Sequence, residues 1–104
     1  MERIVIVAYR PLPGKEKADG INQNTLGILD KENLVSARKP VILQARDGTI
    51  IEVFGWKSQK AMESAHSNPT VQKMWEAYAR VCQYIPISKV KESEDPFSEF
   101  TPVN

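Results

Sequence analysis

Asp47-Gly48 lies between two β-rich runs, and no other pair in the chain restricts the fold so tightly. A D-G pair in that setting predicts a two-residue hairpin turn. Such a turn pairs Arg46 with Thr49 and Leu43 with Glu52. Alternation along the strand that follows, Thr49 to Lys57, places Ile50, Glu52, Phe54 and Trp56 on one face and Ile51 and Val53 on the other. A carboxylate therefore lands in the middle of an apolar strand. Glu52 faces water, meets a partner charge such as Arg38 or Arg46, or lines a cavity, and without a partner its pKa rises.

The remaining elements are read around this hairpin. Residues 3–10 carry Ile4, Val5, Ile6 and Val7, all β-branched, with Tyr9 extending the run. Both faces are apolar, which predicts a strand covered on both sides. Residues 15–33 show helix spacing at Ala18, Ile21, Thr25, Ile28 and Leu29, weakened by Gly20 and Gly27 at about 1 kcal/mol each relative to Ala. Residues 35–46 form the next strand region, in which Pro40 marks an edge or a bulge. After Trp56, Ser58 is a suitable N-cap for a short helix over 59–66. Ser67 or Asn68 caps another helix, with Pro69 in its first turn. Val71, Met74, Trp75, Tyr78, Val81 and Cys82 give that helix an apolar stripe. Tyr84 to Val90 reads as a fourth strand interrupted by Pro86.

The order is β-α-β-β-α-β with the second helical region split in two. This predicts an α+β domain over residues 1–92, a ferredoxin-like antiparallel sheet with helices on one face. The other face needs cover, and in a chain of 104 residues a second copy is the most economical source. A homodimer with sheets packed face to face is expected. The tail, 93–104, has no periodicity but carries Phe97 and Phe100. It is either an arm docking on the partner subunit or disordered.

Composition narrows the class. Charged residues are 26% and the formal net charge is +1. The basic residues are scattered, so no nucleic acid is expected as a partner. No apolar run reaches the ~20 residues of a membrane helix, and the first strand follows the N-terminus directly. A cytoplasmic protein with no membrane partner is expected. Cys82 is alone, which excludes an internal disulfide and suggests no metal site.

The stretch from Trp56 to Trp75 holds both tryptophans and the only histidine. Together with V-I-V-A-Y-R and D-G-T-I-I-E-V-F-G-W-K-S, its A-M-E-S-A-H-S-N-P and M-W-E segments resemble the antibiotic-biosynthesis-monooxygenase-like superfamily of dimeric α+β barrels. The resemblance spans residues ~3 to ~90 as a β-α-β-β-α-β frame and is strongest over 49–76. It implies a homodimeric barrel and a cavity between sheet and helices, with activities that vary widely among members. Haem-degrading members use an Asn in the first strand, a Trp on the helix after strand three and a His on the next helix. Here strand one offers only Ile, Val, Ala and Tyr, the Trp place falls near Ala65-His66, and the His place near Trp75. That set is not reproduced, and no cofactor is implied.

Cofactor-independent members oxidise phenols or quinols, which requires a substrate that can be deprotonated and a dry, shaped pocket. On that reading Tyr9, Phe54, Trp56, Trp75 and Tyr78 stack a small aromatic ligand, and His66 or Glu52 accepts a proton. Each residue also has a plainer reading. His66 closes a short helix, where it satisfies the last carbonyls. Trp56, Trp75 and Tyr78 serve as core. The alternative function is a non-catalytic ligand-binding or stress-related dimer on the same scaffold.

Overall fold

A computed structural model of the chain describes residues 1–13 and 29–103. Strands β1 (Arg3–Pro11), β2 (Val41–Gln44) and β3 (Ile50–Trp56) are followed by helices α1 (Gln59–Ala65) and α2 (Pro69–Ala79). Strands β4 (Cys82–Ile85) and β5 (Thr101–Pro102) come last, separated by two short 3-10 turns, Ile87–Lys89 and Lys91–Glu94. The result is an α+β protein with one antiparallel sheet in the order β4-β1-β3-β2-β5. The helix predicted over 15–33 lies mostly outside the described residues. Its end is seen: residues 29–31 are helical, and Asn33 takes φ 61°. Leu34 N–H donates to Leu29 O at 3.1 Å and Asn33 N–H to Asp30 O at 2.9 Å. This is the paired bonding of a left-handed helix stop, for which Asn is one of the few suitable residues.

The hairpin turn is one residue longer than predicted. Ala45 N–H donates to Thr49 O at 2.8 Å, and Gly48 N–H to Ala45 O at 3.0 Å, so Arg46, Asp47 and Gly48 form the loop. Gly48 sits at φ 92°, which side chains disfavour, and Asp47 Oδ1 accepts from Thr49 N–H at 2.9 Å. A turn followed by a left-handed glycine is the common three-residue hairpin. The expected register is therefore corrected by one step: Ile42, not Leu43, stands opposite Glu52. Ile42 joins the face of Glu52, and Leu43 joins the other.

Helix starts follow the sequence. Ser58 Oγ accepts from Ala61 N–H at 3.0 Å. Asn68 Oδ1 accepts from Thr70 and Val71 N–H at 2.9 and 3.2 Å, with Pro69 at the first helical position. Helix α2 ends sooner than its stripe suggests. Val71, Met74 and Tyr78 are buried along it, but Arg80 closes it and Cys82 opens β4. Strand β4 in turn stops at Ile85. Pro86 has no N–H to extend the ladder, and the chain turns into 3-10 geometry instead of continuing to Val90.

The sheet divides two apolar clusters. On the helix side, Tyr9, Ile42, Ile50, Phe54, Trp56 and Cys82 pack with Leu29, Ala65, Val71, Met74 and Tyr78. On the other side, Ala8, Ala45, Ile51 and Val90 are buried, with Leu43, Val53, Ile85, Ile87 and Phe100 packed against them. The expectation that β1 is covered on both sides holds only in part for the single chain. Ile4 and Ile6 remain 52% and 53% exposed, and Val41 45%. Part of the tail forms β5. It runs along β2 of its own chain, with Thr101 opposite Gln44 and Pro102 opposite Leu43.

Candidate functional site

Period-two alternation sends Val5, Val7 and Tyr9 of β1 to the helix side of the sheet, together with Glu52, Phe54 and Trp56 of β3. The helices close over these side chains without filling the space. A cavity of about 450 Å3 remains, lined by Tyr9, Glu52, Phe54, Trp56, His66, Trp75 and Tyr78. These are the seven positions singled out in the sequence, brought together from two strands and two helical segments. The size falls within the usual range for small-ligand sites.

Glu52 is the polar centre of this space. It is 4% exposed, and Tyr9 Oη donates to its Oε1 at 3.0 Å. Burial pushes its pKa from 4.5 up to about 7, with the Tyr9 hydrogen bond pulling the other way. The carboxyl is thus poised between its two protonation states near neutral pH, where a proton acceptor is most useful. Burial, and the negative charge of Glu52, hold the Tyr9 hydroxyl far above the ordinary phenol range. Neither arginine expected as a partner is bonded to Glu52: Arg38 Nη2 pairs with Glu2 Oε1 at 2.8 Å, and Arg46 is exposed in the hairpin loop. The backbone N–H of Arg46 donates to Glu92 Oε2 at 2.8 Å.

The aromatic residues stand edge to face around the carboxyl. Phe54 and Trp56 have ring centroids 5.3 Å apart at 64°, and Tyr9 and Tyr78 lie 6.2 Å apart at 63°. Both arrangements suit the ring quadrupole. Trp56 and Tyr78 are buried; Trp75 is half-buried and packs against the core. His66 caps α1 through its backbone rather than its ring. It is the C-cap of α1, its backbone N–H donating to Glu63 O and its carbonyl accepting from Gln72 Nε2. Its ring also lies 5.3 Å from that of Trp75 and lines the cavity. Because His66 is exposed, it stands where the cavity meets solvent, whereas Glu52 lies at depth.

Sequence reasoning missed Val5, Val7, Leu29, Ala79 and Tyr84 in the lining. Tyr84 matters most. It pairs with Tyr9 across β1 and β4, its ring centroid lies 5.9 Å from that of Tyr9, and it is 44% exposed. The signal available was the Cys82–Tyr84 alternation, which places both on the face of Tyr9 once the strand starts at Cys82 rather than Tyr84.

Among the described residues, no cluster of three or more His, Cys, Asp or Glu is placed to hold a metal ion. Among the same residues, no helix is long and apolar enough to cross a membrane. Comparison with protein-family models, curated proteins and solved structures gives no match.

Proposed function

We propose that the chain is a small-molecule enzyme similar to antibiotic-biosynthesis-monooxygenase-like proteins, oxidising a small phenolic or quinol substrate without a cofactor. The observation that carries this reading is the buried Glu52–Tyr9 pair inside a cavity otherwise walled by rings and aliphatic side chains. Aromatic walls stack a flat substrate, and exclusion of water strengthens the one polar contact within. Glu52 accepts the phenolic proton, and the electron-rich anion that remains passes electrons to dioxygen. In balanced form, a phenol and dioxygen give a quinone and water: the phenol oxygen becomes one carbonyl, and a ring C–H ortho or para to it becomes the new C=O. Dioxygen supplies that oxygen atom and leaves the other as water, and all four electrons come from the substrate. His66, at the cavity opening, is the second candidate acceptor.

The same proposal reads the strand order β4-β1-β3-β2 as a ferredoxin-like frame and pairs two copies through their open sheet faces into an α+β barrel. Ile6, Val53 and Val41 support it, since the register sets them in one row across three strands. Burying such a row removes apolar surface from water at about 25 cal/mol per Å2.

The test is oxygen uptake with a panel of two- and three-ring phenols and quinols. Expected are consumption of dioxygen, incorporation of one labelled oxygen atom into product, and loss of most turnover in Glu52→Gln. A His66→Gln protein that loses thermal stability yet keeps its turnover removes His66 from the chemistry. Ligand binding with no oxygen uptake across the panel replaces the enzyme by the alternative, a ligand-binding dimer.

A further inference from the structure

The walls of the cavity carry an asymmetry of charge. Among the described lining residues, the acidic side is represented by Glu52, and the basic side has no Lys or Arg. Among the described residues, the titratable groups around Glu52 come from three elements and a helix end. Tyr9 lies on β1, Tyr84 and Cys82 on β4, Tyr78 on α2, and His66 at the end of α1. Burial raises the Tyr9, Tyr84 and Cys82 groups, and the charge of Glu52 raises them further, so all three stay neutral when Glu52 ionises. His66 is exposed to solvent, which screens any charge it carries. Ring faces are themselves negative and disfavour an anion stacked on them. An ionised Glu52 therefore has no described counter-charge at depth.

We infer that Glu52 is a specificity-determining residue that filters ligands by charge: the cavity admits uncharged aromatic ligands and turns away anionic ones. The inference rests on the cavity reading above and adds a substrate class to it. A neutral phenol brings no charge. When its proton moves to Glu52, the cavity holds a phenolate beside a neutral carboxyl, and the net charge is unchanged. A ligand already carrying a carboxylate brings a second negative charge into a space whose described walls hold no Lys or Arg to pair it, and binds only if Glu52 first takes a proton from solvent.

The experiment uses the full chain and two matched probes, 2-naphthol and 2-naphthoate, titrated calorimetrically at about pH 5.5 and about pH 8, on either side of the Glu52 transition. For the wild type, 2-naphthol affinity is expected to change little with pH. The affinity for 2-naphthoate is expected to fall about ten-fold or more at the higher pH, and its binding to take up a proton, read from the heat in two buffers. Glu52→Gln keeps the shape and an acceptor for Tyr9, and is expected to remove both the pH dependence and the proton uptake for 2-naphthoate. Equal binding of the two probes to the wild type at the higher pH overturns the filter alone. The same 2-naphthoate pH profile in wild type and Glu52→Gln does so as well. No binding of either probe at either pH overturns the cavity reading and the filter with it. Where the Glu52→Gln protein does not fold, the same titrations on His66→Gln stand as the test: an unchanged 2-naphthoate profile is expected, and its loss overturns the filter.

Discussion

The two faces of the sheet are built from the same strands, residue by residue, and differ in what covers them. Toward the helices, Val5, Val7 and Tyr9 alternate with β3 partners beneath α1 and α2, and the cover encloses a cavity holding one acid. Away from the helices, the cover is a short C-terminal segment. Val90 and Phe100 pack on Ala8 and Ile51, while Ile4, Ile6 and Val41 stay open. A polar group sits beside this open patch: Glu2, held between Arg38 and Ser36 over Gly55, has its carboxyl drawn down to about 2. The contrast separates two kinds of incompleteness. The helix face is short of atoms inside and suits a small ligand. The open face is short of cover outside and suits a flat partner.

Substitutions on the two faces sharpen or break this contrast. Trp56→Ala on the helix face has the largest expected effect, about 3–5 kcal/mol of unfolding free energy, read from the urea midpoint. A loss below 1 kcal/mol would mean that the cavity wall is already loose. Next is the pH dependence of Glu52. Its folded pKa of about 7 lies above the ordinary 4.5, so the folded chain holds a proton that the unfolded chain releases. The contribution of Glu52 to stability is full below the unfolded value, is lost as pH rises from about 4.5 through about 7, and is absent above. The expected fall is about 3 kcal/mol, absent in Glu52→Gln, and denaturant titrations across that window measure it. On the other face, Val90→Ala removes two buried methyl groups from the C-terminal cover and should lower stability by about 2 kcal/mol. Smallest is Ile6→Lys, within about 0.5 kcal/mol for the monomer because the side chain is already half in water. Sedimentation at micromolar concentration should nonetheless show this variant as a monomer and the wild type as a dimer. A wild type that sediments as a monomer dissolves the proposed barrel.

The alternation of β3 was readable from the sequence because period two needs no tertiary knowledge: Glu52, Phe54 and Trp56 share a face whatever the turn. The register of β2 was not, since it depended on whether Gly48 ended a two-residue or a three-residue loop, and Asp-Gly serves both. The caps at Ser58 and Asn68 were legible as local chemistry. The end of α2 was not, because an apolar stripe does not record where a chain leaves a helix to join a sheet: Val81 O accepts from Leu12 N–H at 2.8 Å, a contact with a residue far away in sequence. For the same reason Tyr84 escaped notice. The sequence neighbours of Glu52 make it unusual but point to an arginine as its partner. Choosing Tyr9 required the pairing of β1 with β3, which sets Val7 opposite Glu52 and Tyr9 two residues away on the same face.

The tail strand has a consequence for what the sheet can become. β2 would otherwise present a row of free backbone groups to any other extended chain, the usual starting point for edge-to-edge aggregation. Val103 N–H instead donates to Ile42 O at 2.8 Å, and Pro102, with no N–H of its own, interrupts the new edge that the tail creates. At the far edge, four-residue β4 is cut off by Pro86. Sheet growth is thus opposed on the β2 side by the tail and its proline, and on the β4 side it is offered an edge only four residues long.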